Sequence, residues 1–331
     1  MRVRWTLALT ALTFSAEVAL AQGSPRMNPV IELLEQKKPV FGLYAPSNRR
    51  LRPAGATAAA PATSTESAKT PAQLALEALG YARSDYVFDG SMEGDFDTAF
   101  PSFAAFAKGM FDGGALQTSP ARRLPHPLIV KTHEIAPDPA LAATRISRQL
   151  NLGVSGIVFV EVESADEVRT GLAAMRFRSQ GGTRPDDVGG APAYWGMSSA
   201  EYKAKADLWP LNPKGELVNW TIVESKQGLA HVREIAAVKG IGVLFPGAGT
   251  LRGVFSTTDA TGQRVLDEKG WEGAIQQVLA ACKEFNVPCG YPATAADIEM
   301  RMHQGFSVFV IGWGEAGFKT IDIGRKASGR D

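Results

Sequence analysis

The chain has 331 residues, 45% of them hydrophobic and 21% charged, and 35 Lys and Arg against 34 Asp and Glu leave a formal net charge of +1. That is an ordinary globular composition, long enough for one large domain or two small ones. A near-neutral chain with no basic stripe among its aromatics gives no footing for a polyanion, so no nucleic-acid partner is expected.

The N-terminus reads as a secretory signal. Arg2 and Arg4 form a basic n-region, Trp5 to Ala16 an apolar h-region, and Ala19-Leu20-Ala21 a small-x-small cleavage site. Residues 1–21 are therefore expected to be removed near Gln22, placing the mature protein in the periplasm or outside the cell. Glu17 sits awkwardly close to the h-region, and a start at Met27 is the competing reading. No later apolar run is long and uninterrupted enough to span a bilayer, so the mature form is expected to have no membrane segment.

From residue 28 onward, short apolar runs alternate with amphipathic stretches. Eight runs read as strands: Pro39–Ala45, Asp85–Gly90, Pro127–Thr132, Ser155–Val162, Val218–Glu224, Gly242–Gly247, Val287–Pro292 and Ser307–Trp313. Each is rich in β-branched or aromatic residues and bounded by Gly, Pro or polar residues. Several are apolar at nearly every position, as parallel strands buried on both faces should be. Helical periodicity fills the gaps over Asp138–Leu150, Ala165–Phe177, Gln227–Val238 and Trp271–Phe285. Ser164 and Glu167 have the spacing of a capping box. Eight strands alternating with helices predict an α/β fold, a closed (β/α)₈ TIM barrel in one domain over 28–325. No Gly-x-Gly-x-x-Gly follows the first strand, which argues against a dinucleotide-binding sheet.

Two insertions interrupt the pattern. Residues 48–70 are rich in Ala, Pro, Thr and Ser and read as a loop after the first strand. Residues 178–215 follow the fourth strand and are expected to overhang the C-terminal face of the barrel as a lid or subunit contact. Cys282 and Cys289 are expected to be two buried thiols, since the first looks helical and the second opens a strand.

The polar residues at strand ends carry the chemistry, because a barrel enzyme builds its site at the C-terminal ends of its strands. Glu224 ends the fifth strand. The turn Gly247-Ala248-Gly249 after the sixth strand offers backbone N–H groups beside it. Lys131 ends the third strand and can supply positive charge as a point cation. Glu161 and Glu163, at the end of the fourth strand, share a face by alternation and are candidates to join Glu224 as ligands. Glu93 is a candidate base or ligand. His133, two residues beyond Lys131, is a candidate base. Nothing places His126, His231 and His303 together as zinc ligands.

These residues resemble the HpcH/HpaI aldolase family, with its citrate-lyase-like members, over nearly all of 28–325. The resemblance runs through Asn28-Pro29, Gly42-Leu43, Asp85–Gly90 and Gly153–Glu167. Its most specific part is Val223-Glu224-Ser225-Lys226; Phe245-Pro246-Gly247-Ala248 and Gln304-Gly305-Phe306 match more weakly. It implies a metal-dependent pyruvate aldolase on a (β/α)₈ barrel, a homo-oligomer (trimer or hexamer) that cleaves 4-hydroxy-2-oxo acids to pyruvate and an aldehyde. It also implies a divalent metal (Mg²⁺, Mn²⁺ or Co²⁺) that stabilises the enolate. Glu224 falls on the first metal carboxylate, Asp89 on the acid that orients the catalytic histidine, and Gly247 and Ala248 on the backbone that holds the pyruvate carboxylate. Arg184 matches a Gly-x-Arg element that binds a substrate carboxylate or braces a loop.

The departures are as informative. The second metal ligand, an Asp, is replaced by Gly249, and no Asp lies between Gly240 and Thr258. The histidine after Asp89 is missing from Gly90-Ser91-Met92-Glu93-Gly94. The enolate-stabilising Arg becomes Lys131, and the Gln two residues before the metal carboxylate becomes Ile222. A divergent lyase acting on a small 2-oxo acid is the expected function. The alternative is a barrel that keeps the anion pocket and only binds a small carboxylate. A larger, CoA-like substrate under the insertion is a third reading, although no residue pattern specifically reads CoA.

Overall fold

A computed structural model of the chain describes residues 25–48 and 67–331. The expected signal segment and most of the insertion 48–70 lie outside the described residues. Among those described, no helix is long and apolar enough to cross a membrane.

Each of the eight expected runs contains a strand. In order they are Val40–Tyr44, Val87–Asp89, Leu128–Lys131, Gly156–Phe159, Leu217–Val223, Val243–Pro246, Gly290–Pro292 and Val308–Ile311. Neighbours pair in parallel, and the eighth returns to the first with Val40 opposite Val308. A parallel bridge between Leu244 and Cys289 joins the sixth strand to the start of the seventh and closes the ring. The result is the expected TIM barrel. Side chains such as Phe88, Val158, Trp220 and Phe245 fill its interior, and a second apolar layer lies between the strands and the outer helices. The short helix Pro29–Glu35, capped by Asn28, buries Val30, Ile31 and Leu34 with the interior residues and so plugs the N-terminal end.

The helices start where the caps predict. Asp138 Oδ1 accepts the Leu141 N–H at 3.0 Å, and Ser164 Oγ accepts that of Glu167 at 3.2 Å. The capping box is only half made, because the Glu167 carboxylate reaches one residue further back, to the Glu163 N–H at 3.0 Å. The stretch 227–238 forms two short helices that meet at His231.

The long insertion is not a lid. Helix Ala165–Met175 carries the chain back to the N-terminal face before the insertion begins, so the insertion belongs to a helix-to-strand connection. Trp195 donates its indole N–H to Gly153 O at 2.8 Å, and the Tyr202 hydroxyl donates to Leu150 O at 3.2 Å, both in the turn that enters the fourth strand. Leu208–Trp209 then pairs with the first residues of the fifth strand. A substrate lying under this segment would be at the wrong end of the barrel.

The two cysteines are joined, contrary to the expectation of free thiols. Helix Glu268–Phe285 ends at Asn286 in a left-handed conformation (φ 53°), which folds the chain back and brings the Cys282 and Cys289 Cα atoms to 5.7 Å. That separation suits a disulfide. Closing so short a loop restricts the unfolded chain, so replacing both cysteines by alanine is expected to cost about 2 kcal/mol. Urea unfolding measures this, and an unchanged midpoint would refute it.

Candidate active site

At the C-terminal ends of the strands lies a cavity of 190 Å³. Its walls are Tyr44, Phe88, Trp220, Ile222, Phe245 and Val310; Lys131, Glu224 and the turn from Gly247 to Thr250 supply its polar groups. Glu224 is 3% exposed, and its Oε1 accepts the Glu161 N–H at 3.0 Å. Gly247 lies directly against this carboxylate. A Cβ there would come within 2.4 Å of Glu224 Cβ and 2.5 Å of its Oε2. Gly247→Ala is therefore expected to cost about 1–3 kcal/mol by forcing the turn and the carboxylate apart. A thermal unfolding curve matching the parent would contradict that.

The Gly247 N–H is already used, donating to Val223 O at 3.0 Å. The donors left for an anion are those of Ala248, Gly249 and Thr250, which open helix Ala248–Val254 and have no partner within it. Of the two backbone positions that the resemblance implies, Gly247 therefore has its N–H occupied.

Lys131 Nζ donates to Glu93 Oε1 at 2.7 Å, and the lysine side chain is 13% exposed. Burial works against its charge, but the Glu93 carboxylate, then Tyr44 and Glu224, hold the ammonium pKa above the ordinary lysine value. The Glu93 backbone is fixed by His133, whose Nδ1 lies 2.7 Å from Glu93 O. His133 thus supports the Glu93 loop and is not among the cavity's lining residues. Asp89 orients no histidine. Its Oδ1 accepts the Ser91 N–H at 2.9 Å and the Ser91 hydroxyl at 2.5 Å, which shapes the turn leading to Glu93. Burial raises the Asp89 pKa, opposed by those two bonds.

The remaining candidates separate. The fourth strand ends at Phe159, and Glu161 takes a left-handed φ of 52°, which breaks the alternation that would give Glu161 and Glu163 one face. Glu161 stays at the mouth, where partial burial and the carboxylates of Glu134, Glu224 and Glu93 push its pKa up. Glu163 turns away to accept the Ser225 hydroxyl at 2.6 Å. Arg184 is no substrate ligand in this structure. It is 1% exposed inside the insertion, bonded to Asn151 and Tyr202 at 3.0 and 3.2 Å and stacked 4.3 Å from the Phe177 ring centre.

Tyr44 was not foreseen as a site residue. It ends the first strand, and its phenol shares the cavity with Lys131 and Glu224. Burial raises its pKa, the Lys131 charge lowers it, and the Glu93 and Asp89 carboxylates raise it again. Its strand-end position was the available signal.

The residues do not fit the divalent metal that the resemblance implies. Among the described residues, Glu224 is the one carboxylate lining the cavity, and its Oε1 is engaged by a backbone N–H. Gly249 brings no side chain, and a Cβ there would meet nothing within 4 Å. Among the described residues, no three His, Cys, Asp or Glu side chains converge as a ligand set. A larger cavity of 1030 Å³ opens at the N-terminal end, between Glu35, Trp209, Lys239 and Phe285. It lies away from the strand ends where barrels do chemistry.

A family model described as HpcH/HpaI aldolase/citrate lyase matches residues 115–312. The chain is 25% identical over 160 residues to the 2-dehydro-3,6-dideoxy-6-sulfogluconate aldolase of Pseudomonas putida, covering 47% of this chain and 54% of that protein. It therefore spans about half the length of the curated relative it matches. Its fold is similar to that of an HpcH/HpaI aldolase/citrate lyase family protein from Burkholderia cenocepacia J2315, with a TM-score of 0.62, 20% identity and coverage of 86% and 92% of the two chains. It is also similar to an HpcH/HpaI aldolase from Desulfitobacterium hafniense DCB-2, with a TM-score of 0.58, 15% identity and coverage of 86% and 90%. At those identities the two structures speak to the barrel fold.

Proposed function

Because this chain belongs to the HpcH/HpaI aldolase/citrate lyase family, we propose that it is a carbon–carbon lyase that cleaves a small 4-hydroxy-2-oxo acid into pyruvate and an aldehyde. The observation that carries the reading is the cavity at the strand ends, where Lys131 and the buried Glu224 meet among apolar walls. Cleavage breaks the bond between C3 and C4, and its electron pair moves toward C2. Lys131 offsets the negative charge that develops there. Glu224 takes the proton of the C4 hydroxyl as a general base. The N–H groups of Ala248, Gly249 and Thr250 hold the substrate carboxylate. The aromatic walls exclude water, which strengthens each of these interactions.

The test is pyruvate release from a panel of 4-hydroxy-2-oxo acids, with Mg²⁺, Mn²⁺, Co²⁺ or EDTA. Release that persists in EDTA is expected. Release that EDTA abolishes would restore the family's metal and recast Glu224 as its ligand. No release under any condition would favour the rival, a protein that binds a small carboxylate without cleaving it.

We also propose that the protein is exported and assembles as a homo-oligomer, a trimer or hexamer. The Cys282–Cys289 disulfide supports export, since such bonds persist in oxidising compartments. Intact mass measurement of the periplasmic fraction should find a chain beginning at Gln22, and sedimentation velocity should find three or six copies.

A further inference from the structure

The cleavage proposed above leaves one step without a residue. When the aldehyde departs, the pyruvate portion is an enolate, and its C3 must gain a proton before the product can leave. No histidine among the described residues lines the cavity. Its other proton carriers have tasks of their own. Lys131 must keep its charge through the step, Glu224 sits at the C4 hydroxyl, and Thr250 belongs to the turn at the carboxylate end. Tyr44 remains. It ends the first strand, and Glu224 directly follows the fifth, so the two stand half a turn apart round the ring of eight strands and face the cavity from opposite walls. A cavity of 190 Å³ is narrow enough for a three-carbon enolate to touch both. The Tyr44 ring is set edge-on to Phe88, with centroids 4.9 Å apart. The Lys131 stem runs beside it, since a Cβ at Gly90 would sit 3.6 Å from both Lys131 Cδ and Tyr44 Cε1. Burial keeps the phenol protonated, and the Lys131 charge lowers the cost of the phenolate left behind when the proton goes.

We infer that Tyr44 is the acid that protonates C3 of the pyruvate enolate, on the face opposite the departing aldehyde. The inference rests on the lyase reading and supplies its last chemical step. After cleavage the enolate carries its charge on the C2 oxygen beside the Lys131 ammonium, and Glu224 holds the proton taken from the C4 hydroxyl. The Oη–H bond of Tyr44 then breaks, a C3–H bond forms from the C2=C3 electron pair, and the C2 carbonyl is restored. The phenolate that results is opposed by the same ammonium. Once the aldehyde has left, water carries the proton from Glu224 to the phenolate. Both residues return to their starting forms, and the proton lost at the C4 hydroxyl is balanced by the one gained at C3.

The experiment gives the full mature chain enolpyruvate, released in the cuvette from phosphoenolpyruvate by acid phosphatase, and follows its conversion to pyruvate by ultraviolet absorbance. This probe bypasses carbon–carbon cleavage. The parent is expected to accelerate the conversion. Tyr44→Phe keeps the ring against Phe88 but has no proton to give, and should reduce the acceleration at least ~100-fold. With an acid that the parent cleaves, the first turnover of Tyr44→Phe should release aldehyde within about threefold of the parental rate while pyruvate lags behind. Tyr44→His restores a donor and should regain part of the acceleration, which is lost as pH rises through the imidazole range near about 6.5. Parental conversion by Tyr44→Phe overturns the inference. So does equal slowing of aldehyde and pyruvate, which would place Tyr44 before the bond breaks. The unmodified chain gives a check that no folding defect can spoil. Substrate stereospecifically tritiated at C3 and cleaved in D₂O should yield a chiral methyl group with inversion, and retention would assign the proton to the Glu224 wall. A parent that converts enolpyruvate but cleaves no panel acid would uphold Tyr44 and remove the lyase reading. A parent that does neither would remove both.

Discussion

Glu224→Gln is expected to lower kcat/KM for pyruvate release by about 10²–10⁴-fold, the usual loss when a general acid or base is removed. The substitution isolates the charge. A glutamine carbonyl can still accept the Glu161 N–H that Oε1 now holds at 3.0 Å, and the side chain keeps its shape against Gly247. The variant should therefore fold normally while lacking a group to take the C4 hydroxyl proton. Glu163→Gln is the matched control. That carboxylate lies on the same stretch of chain as Glu161 but faces the Ser225 hydroxyl, so its activity should stay within about threefold of the parent, as expected for a group outside the reacting set. If the two variants lose equal activity, general electrostatics at the barrel mouth is at work and Glu224 has no special role. If Glu224→Gln keeps full activity, the proton is taken elsewhere and the site must be redrawn.

How much of this was legible in the sequence follows from which physical signals are local. The eight strands were legible because a parallel strand buried on both faces must be apolar throughout, and loops between such runs cannot be. Lys131, Glu224 and Gly247 stood out because polar or bare residues at the end of an apolar run have few structural uses. Tyr44 occupies an equivalent position but is aromatic, so it reads as ordinary core. The pairing of Glu161 with Glu163 failed at one dihedral, the φ of 52° at Glu161, which alternation along an extended strand does not anticipate. The insertion was placed on the wrong face by counting from the strand before it, although helix Ala165–Met175 had already returned the chain to the other end. The disulfide depended on the left-handed turn at Asn286, and asparagine is one of the few residues that adopts it readily.

Trp220 shows that fold and site share material, and Trp220→Ala should have the largest effect on stability. The ring is fully buried, stacked on Phe88 and Phe245 with centroids 5.9 and 6.3 Å away and edge-on to Tyr86 at 5.1 Å. Tyr86 in turn reaches inward only because Gly42 has no side chain; a Cβ there would lie 2.2 Å from the ring. An interior interlocked in this way cannot collapse around a void, so truncation is expected to cost about 3–5 kcal/mol and to lower Tm by about 10 °C. Trp220→Phe separates volume from polarity. The indole N–H has no hydrogen-bond partner among the described residues, so the phenylalanine variant loses only part of the ring and should be destabilised well under half as much. Equal destabilisation of the two would mean that the N–H matters through a contact the folded chain does not display. Trp220 also walls the cavity beside Lys131, so the void left by alanine opens into the substrate space. The alanine variant, assayed below its lowered Tm, should accept 2-oxo acids with bulkier C4 substituents that the parent rejects. Unchanged preference would place the aldehyde portion of the substrate away from this wall, toward the mouth at Glu161.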